Sequence, residues 1–197
     1  MLRKKILAMV GVAAVALTMG GCATDAGGDE DSAGTVGILM PSTTNTRWQI
    51  EADTMTETLA ERGFDTTVQF ANDDAATQVG QLEDMITNGV SALVVVPVDG
   101  KSLGGPLADA NALDIPVVSY TRLLQDTDGV DYYTTFDYTS YGALSATAIL
   151  QALGIQDEEG NDTGATGPFN LEVVNGSSTD SVAYEMWDGY NDVLGSY

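Results

Sequence analysis

The run ALVVVPV at 92–98 is almost continuously apolar, and it limits the fold more than any other segment of the chain. A strand that is apolar on both faces is typical of the interior of a parallel sheet covered by helices on both sides. Other apolar or alternating runs precede and follow it, separated by segments with helical periodicity. The sequence therefore predicts an α/β fold with a doubly wound parallel sheet. Its strands are predicted at 35–40, 64–70, 92–98, 115–120, 131–136 and 169–174.

Between the strands, apolar residues recur at intervals of three and four, as on the buried side of an amphipathic helix. In the second such segment Asp73 or Asp74 is a candidate N-cap, and the buried side includes Leu82 and Ile86. The acidic, Gly-rich residues 154–167 lack the ligand order of an EF-hand, so we expect a solvated loop there. The helices are predicted at 48–62, 74–88, 103–110, 138–153 and 180–194.

The N-terminus has a basic start, a short apolar run and small residues before a break, which together indicate a secretory signal. Small residues directly before Cys22 resemble the lipobox of bacterial lipoproteins. This resemblance implies a signal peptide at 1–21 and a lipid-bearing Cys22 as the mature N-terminus. The alternative is a leader that is cut nearby, with Cys22 uninvolved. Residues 22–34 are rich in Gly, Asp, Ser and Thr and are predicted to be a flexible acidic tether.

The composition excludes several kinds of site and partner. The chain has one cysteine and no histidine, which excludes an intramolecular disulfide, a cysteine metal site and the usual zinc and serine-hydrolase chemistries. Its 29 acidic residues give a formal net charge of −22, which repels nucleic acid and anionic lipid headgroups. Beyond the leader, the cationic residues are limited to Arg47, Arg62, Lys101 and Arg122.

Nucleotide-binding motifs are missing from the sequence. The segment 40–45 after the first strand contains no glycine, which excludes a dinucleotide-binding fingerprint. Residues 100–102, Gly-Lys-Ser, match the end of a P-loop, but Val95 stands where that motif needs a glycine. No motif selects a pair of catalytic carboxylates either. We therefore expect no cofactor, no metal ion and no enzymatic activity.

Polar and aromatic residues follow the predicted strands, at the edge where doubly wound sheets bind their ligands. Two guanidinium groups supply hydrogen-bond donors in a fixed fork, and carboxylates accept from hydroxyls while balancing part of the positive charge. An indole offers a flat apolar face to the C–H side of a sugar ring. This set predicts a site for a neutral polyol. It comprises Asn45, Arg47 and Trp48 after the first strand, Asp99 after the third, Thr121 and Arg122 after the fourth, and Asp137 after the fifth.

Each of these residues also has a purely structural interpretation. Asp99 precedes a glycine and is a candidate turn residue or helix cap, while Asn45 and Asp137 are candidate helix N-caps. Trp48 could belong to the core. The two arginines could pair with acidic residues at the surface, which are abundant in this chain.

Five segments resemble the family of periplasmic-type substrate-binding proteins for ribose, xylose and multiple monosaccharides. They are VGILMPSTTNTRW, ALVVVPVDG, IPVVSYTRLL, DYYTTFDYTSYGALSA and GPFNLEVVNGSSTDS. The Arg47–Trp48 pair and the motif around Arg122 are most similar to the xylose-type branch. The resemblance implies a type I periplasmic-binding-protein-like fold, in which two lobes close on a pyranose that is then delivered to an ABC permease.

The resemblance implies sugar contacts for Arg47, Trp48, Arg122 and Asp137, with Asp137 near the Arg122 cation. Two positions depart from the family pattern, because Thr121 stands where aspartate is usual and Tyr138 where asparagine is usual. Both can still bond a hydroxyl, and Tyr138 can also stack. Two weaker candidates lie in a later loop and the helix after it, Ser181 and Tyr184.

Taken with the family's length, the chain is expected to supply an N-terminal sugar-binding lobe at 35–136 and an incomplete second lobe at 137–197. The expected function is an extracytoplasmic, lipid-anchored, monomeric receptor that captures a xylose-, glucose- or galactose-like aldose for an ABC importer. One alternative is a receptor for a sugar, inositol or autoinducer that feeds a signalling partner. Another is a glycosidase. A transcription regulator would need a basic helix-turn-helix in place of the leader and the acidic tether.

Overall fold

The computed structural model describes residues 32–197, and everything below concerns that part of the chain. The predicted signal peptide at 1–21, the candidate lipid anchor Cys22 and most of the predicted tether at 22–34 lie outside the described residues. None of the described helices has the length and apolar character needed to cross a lipid bilayer.

Five strands form one sheet, with every neighbouring pair parallel. The order across the sheet is β2-β1-β3-β4-β5, so the chain moves outward from β1 to one edge and then returns to build the other side. The prediction of a doubly wound parallel sheet is thereby confirmed. The direction reverses between β1 and β3, and a crevice for ligands forms at the carboxyl ends of such a pair. The strands are β1 (Thr35–Met40), β2 (Asp65–Phe70), β3 (Ala92–Val95), β4 (Val117–Tyr120) and β5 (Tyr132–Thr134).

Five helices alternate with the strands and then follow them. Four of them begin directly after an Asn or Asp whose side chain accepts a backbone N–H of the first turn, which is why these helices start where they do. All five overlap the segments predicted from periodicity. They are α1 (Thr46–Ala60), α2 (Ala75–Thr87), α3 (Gly104–Ala112), α4 (Tyr138–Ala152) and α5 (Ser181–Leu194).

The sheet has a hydrophobic core on each face. Alternation along β1 divides its side chains between them, with Leu39 in the cluster that α2 and α3 cover and Ile38 in the cluster beneath α1. Leu93 and Val95 of β3 join the first cluster and Val96 joins the second, all of them fully buried. The continuously apolar run of the sequence is therefore explained by burial on both sides.

Helices α4 and α5 pack against each other through two glycines. A methyl group at Gly189 would collide with the carbonyl oxygen of Thr139, and one at Gly142 would collide with that of Met186. Only glycine leaves enough room for the two backbones to approach this closely. The pair is therefore fixed by backbone shape as well as by its apolar side chains.

The prediction of a strand at 169–174 is wrong. The described residues form no strand there, and Phe169 and Leu171 are each more than 40% exposed while Val174 is 98% exposed. The apolar, β-branched character of the segment favours an extended backbone. A strand also needs a neighbouring strand for its hydrogen bonds, and the five strands of the sheet leave this segment unpaired.

Candidate ligand-binding site

The carboxyl ends of β1 and β4 bring together Arg47, Trp48 and Arg122, which we call the arginine–tryptophan cluster. The guanidinium carbon of Arg47 lies 4.6 Å from the centre of the Trp48 ring, and that of Arg122 lies 5.5 Å from it. Both distances are within the range of cation–π attraction. Three of the residues singled out from sequence thus meet at one place, although 74 positions separate the tryptophan from the second arginine.

Trp48 is largely a core residue. It is 5% exposed and packs with Ile38, Met40 and Val96 in the cluster beneath α1. The indole therefore does not offer the free face for stacking a sugar ring that its position after the first strand predicts. The ring is covered by protein, and the arginines occupy the positions from which a ligand would stack on it.

Arg47 is paired with an acidic residue one helical turn along α1. Its Nε donates to Oε1 of Glu51 at 2.6 Å. Burial lowers the pKa of Arg47, but the hydrogen bond and negative charge of Glu51, together with the nearby Tyr138 phenol, outweigh this effect and raise the pKa above its ordinary value. The second carboxylate oxygen of Glu51, Oε2, is buried and has no hydrogen-bond partner within residues 32–197.

Arg122 is paired with a carboxylate from a distant part of the chain. Its Nη2 lies 2.9 Å from Oδ2 of Asp180, and its Nη1 donates to the Pro97 carbonyl at 3.0 Å. The family resemblance predicts Asp137 near this cation instead. Asp137 is not the partner, because the first turn of α4 takes its carboxylate, whereas Asp180 is the N-cap of α5 and lies beside the end of β4.

The segment before α5 lies against the ends of β3 and β4. The Leu123 N–H donates to the Ser181 hydroxyl at 2.9 Å, and the Thr179 hydroxyl donates to the Val98 carbonyl at 3.3 Å. Ser181, a weaker candidate from sequence, is 5% exposed and uses its oxygen in this contact. These bonds hold the N-terminus of α5 over the carboxyl edge of the sheet.

Three other candidates have the capping or turn role that the sequence analysis left open. Asp137 accepts from the Ser140 N–H at 2.9 Å and from its hydroxyl at 2.7 Å, and these bonds lower the pKa of its exposed carboxyl. Asn45 accepts from the Arg47 N–H at 3.0 Å as the N-cap of α1. Asp99 accepts from the Lys101 N–H at 2.9 Å.

The remaining candidates differ in their surroundings. Thr121 is 2% exposed and has a left-handed backbone with φ of 58°, which is uncommon for a β-branched residue. Tyr138 packs edge-on against Phe136, with 6.0 Å between ring centres. The Tyr184 hydroxyl donates to the Ser178 carbonyl. Tyr184 also lines a cavity of about 310 Å³ together with Asp99, Lys101, Gln125, Ser178 and Thr179.

Sequence reasoning missed the two acidic partners of the arginines. Glu51 stands four positions after Arg47 on a predicted helix, and this spacing is a recognised signal for an ion pair. Asp180 was placed only as the start of a helix. Its pairing with Arg122 depends on where α5 packs, and no local pattern reports that.

The arginine–tryptophan cluster offers hydrogen-bond donors without an excess of positive charge. Each guanidinium carries five N–H groups, of which the contacts above use only some. Each is also matched by one carboxylate, so the four charged groups sum to zero. Such a surface suits a neutral molecule with many hydroxyls. No group of three or more potential metal ligands occurs among residues 32–197.

Comparison with known proteins gives consistent matches over most of the chain. The sequence model of a family described as periplasmic binding protein domain matches residues 36–197. A multiple sugar-binding periplasmic receptor of Rhizobium radiobacter is 37% identical over 164 residues, which cover 83% of this chain. The D-xylose-binding periplasmic protein of Escherichia coli is 33% identical over 115 residues, covering 58% of this chain and 34% of that protein.

Solved structures agree with these matches. An ABC transporter solute-binding protein from Clostridium phytofermentans with bound β-D-glucose superposes with a TM-score of 0.77 and 37% identity, covering 83% of this chain and 48% of that one. A carbohydrate transporter solute-binding protein from Chloroflexus aurantiacus, in complex with D-glucose, superposes with a TM-score of 0.69 and 29% identity. The match covers 82% of this chain and 44% of that one. This chain spans 44% of the length of the Rhizobium receptor.

Proposed function

Because the chain belongs to the family of periplasmic binding protein domains, we propose that it captures a neutral monosaccharide outside the cytoplasm for an ABC importer. The observation that carries this proposal is the arginine–tryptophan cluster at the carboxyl ends of β1 and β4, with each arginine paired to a carboxylate. A neutral group of fixed donors matches the hydroxyls of a sugar ring better than it matches an ion or an apolar ligand.

The relatives support an aldose as the ligand class. Their names and bound molecules include multiple sugars, D-xylose and D-glucose. We propose xylose, glucose, galactose and arabinose as the first compounds to test. A site with buried polar groups discriminates strongly against deoxy analogues, because a missing hydroxyl leaves those groups unpaired.

Within the site we propose different roles for different residues. Arg47 and Arg122 donate to sugar hydroxyls, and the Trp48 ring holds both guanidinium groups in place by cation–π contact. Asp99 and Asp137, at the ends of β3 and β5, have exposed or half-exposed carboxylates that can accept from a sugar. Asn45, Thr121, Tyr138, Ser181 and Tyr184 remain weaker candidates.

The proposal extends to the rest of the molecule. Residues 35–136 are proposed as one sugar-binding lobe and residues 137–197 as part of a second. Lipidation at Cys22 would hold the protein at the outer face of the cytoplasmic membrane, beside its permease. Replacing Cys22 with Ala should then release the protein from membranes, and unchanged membrane retention would contradict the anchor.

The function is tested by measuring sugar binding to the 197-residue protein. The indole N–H signal of Trp48 in NMR titrations reports on the cluster, and Trp187→Phe identifies that signal. We expect a saturable shift with at least one of the four aldoses and none with its deoxy analogue. Arg122→Ala should weaken binding about tenfold or more, since a hydrogen bond to a charged group contributes about 1.5–3 kcal/mol.

Arg62→Ala is the matched control, because Arg62 is an exposed cation that precedes β2 and so lies away from the carboxyl ends of the strands. It should leave the affinity unchanged. Absence of binding to all four aldoses would overturn the sugar proposal. Binding of inositol in their place would support the signalling-receptor alternative.

A further inference from the structure

We propose that Glu51 and Asp180 set the charge selectivity of the site, so that it accepts neutral sugars and rejects sugar acids. This inference rests on the proposed function. Each of the two carboxylates forms an ion pair with one arginine of the site.

The arginines by themselves would attract anions. Two guanidinium groups lie within 4.6 and 5.5 Å of one ring centre, and this is a dense positive charge in a protein whose net charge is −22. A sugar acid would bind such a pair through its carboxylate, because planar guanidinium and carboxylate groups form paired hydrogen bonds. The acidic partners remove that attraction, and any ligand carboxylate that enters is repelled by two resident ones.

Asp180 is held so that a ligand cannot easily replace it. Its Oδ1 accepts from the Val182 N–H at 3.0 Å as the N-cap of α5, while its Oδ2 pairs with Arg122 at 2.9 Å. Its side chain is 14% exposed. Displacing this carboxylate from Arg122 would also disturb the start of the helix, so the neutralising charge stays in place when a ligand arrives.

Glu51 contributes in a second way. Its Oε2 is buried and has no hydrogen-bond partner within the described residues, while its Oε1 holds Arg47. A buried acceptor without a partner is costly, so a donor that reaches it stabilises the complex. The carbon-six hydroxyl of a neutral hexose can donate to this oxygen, whereas the carboxylate that replaces it in the corresponding sugar acid cannot.

The test compares each neutral sugar with the acid that differs from it only at carbon six. The probes are D-glucose with D-glucuronate, and D-galactose with D-galacturonate, titrated against the whole protein and followed by the Trp48 signal. Glu51→Gln and Asp180→Asn remove one charge each and keep the shape of the side chain. Glu57→Gln on α1 and Asp188→Asn on α5 are matched controls, since both residues are exposed acids on the same helices.

The wild-type protein should bind the neutral sugar at least about tenfold more tightly than its acid. Each test substitution should reduce this ratio by about tenfold, which corresponds to about 1.4 kcal/mol, and the controls should leave it unchanged. An unchanged ratio in both test variants would overturn the charge-selectivity inference and leave the sugar proposal standing. Wild-type protein that binds neither member of either pair would overturn both.

A second measurement needs no substitution and covers the case in which a variant fails to fold. Salt screens the repulsion between a sugar acid and a protein whose net charge is −22, and a site whose own charges sum to zero adds no opposing attraction. Raising the sodium chloride concentration should therefore strengthen wild-type binding of glucuronate or galacturonate while leaving glucose and galactose unaffected. Weaker binding of the acids at high salt would show a net positive site and overturn the inference.

Discussion

At the level of single residues, the carboxylates around the start of α5 lie close enough to influence one another. The side chain of Glu185 is one turn beyond Asp180. Burial raises the pKa of Glu185, the nearby Tyr133 hydroxyl lowers it, and the charges of Asp180 and Asp137 raise it further, so that the balance lies above the ordinary value of 4.5. The ionised form of this carboxyl is therefore less favourable in the folded protein than in the unfolded chain.

Glu185→Gln should make the protein more stable at neutral pH. A raised pKa in the folded state means that ionised Glu185 opposes folding, an effect that is absent well below pH 4.5 and complete above the folded-state pKa. The substitution should raise the midpoint of urea unfolding more at pH 7.5 than at pH 5. Asp188→Asn, an exposed acid on the same helix, is the control. An equal gain at both pH values would contradict the assignment of the effect to Glu185.

The residues of the site were predictable to the extent that they follow strands. Arg47, Trp48 and Arg122 could be placed together because the carboxyl ends of parallel strands share one edge of the sheet. The partners of the arginines could not be placed in the same way. The pairing of Glu51 with Arg47 depends on side-chain rotamers. The pairing of Asp180 with Arg122 depends on the packing of a helix whose N-cap stands 58 residues later.

At the level of elements, the contact between α4 and α5 rests on close backbone approach. Gly189→Ala should destabilise the protein by about 1–3 kcal/mol, because the new methyl group would collide with the Thr139 carbonyl and force the helices apart. Gly80→Ala is a matched control in α2, where an added methyl meets no atom within 4 Å. It should stabilise the protein by about 0.5–1 kcal/mol through helix propensity. Chemical denaturation measures the free energy of unfolding of both variants. Equal changes in the two would contradict the close-approach explanation.

The segment 169–174 should exchange its amide hydrogens quickly. It forms no strand and its side chains are widely exposed, whereas β1 and β3 lie in the centre of the sheet. Hydrogen–deuterium exchange followed by mass spectrometry should show rapid labelling across 169–174 and slow labelling across β1 and β3. Protection of 169–174 equal to that of β3 would show that the segment is hydrogen-bonded in solution.

The elements of the sheet were well predicted because each has a local signal. The strand β1 was predicted with the same bounds as observed, and α2 and α5 start beside aspartates that were foreseen as caps or helix starts. The segment 169–174 has the same local signal as a true strand, with alternating apolar residues and two adjacent valines. Its failure to form one follows from the lack of a neighbouring strand, and that is a property of the whole sheet.

At the level of the whole molecule, acidic residues greatly outnumber basic ones. A net charge of −22 produces self-repulsion that opposes the compact state. Raising sodium chloride from about 0.02 to about 0.5 M should therefore raise the thermal midpoint, since the Debye length falls from roughly 20 Å to about 4 Å. Sucrose of equal osmolality is the control for general solvent effects. A midpoint that does not rise more in salt than in sucrose would show that repulsion contributes little to stability.

The unpaired segment at 169–174 also bears on how separate molecules behave towards each other. An extended backbone with free amides and apolar side chains is a template on which a second molecule can add a strand. At neutral pH the negative charge of the molecules keeps their unpaired segments apart. This repulsion disappears near the isoelectric point of about 4.1. The colloidal stability of the protein is therefore governed by acidity, because the electrostatic barrier to self-association falls as the pH approaches the isoelectric point.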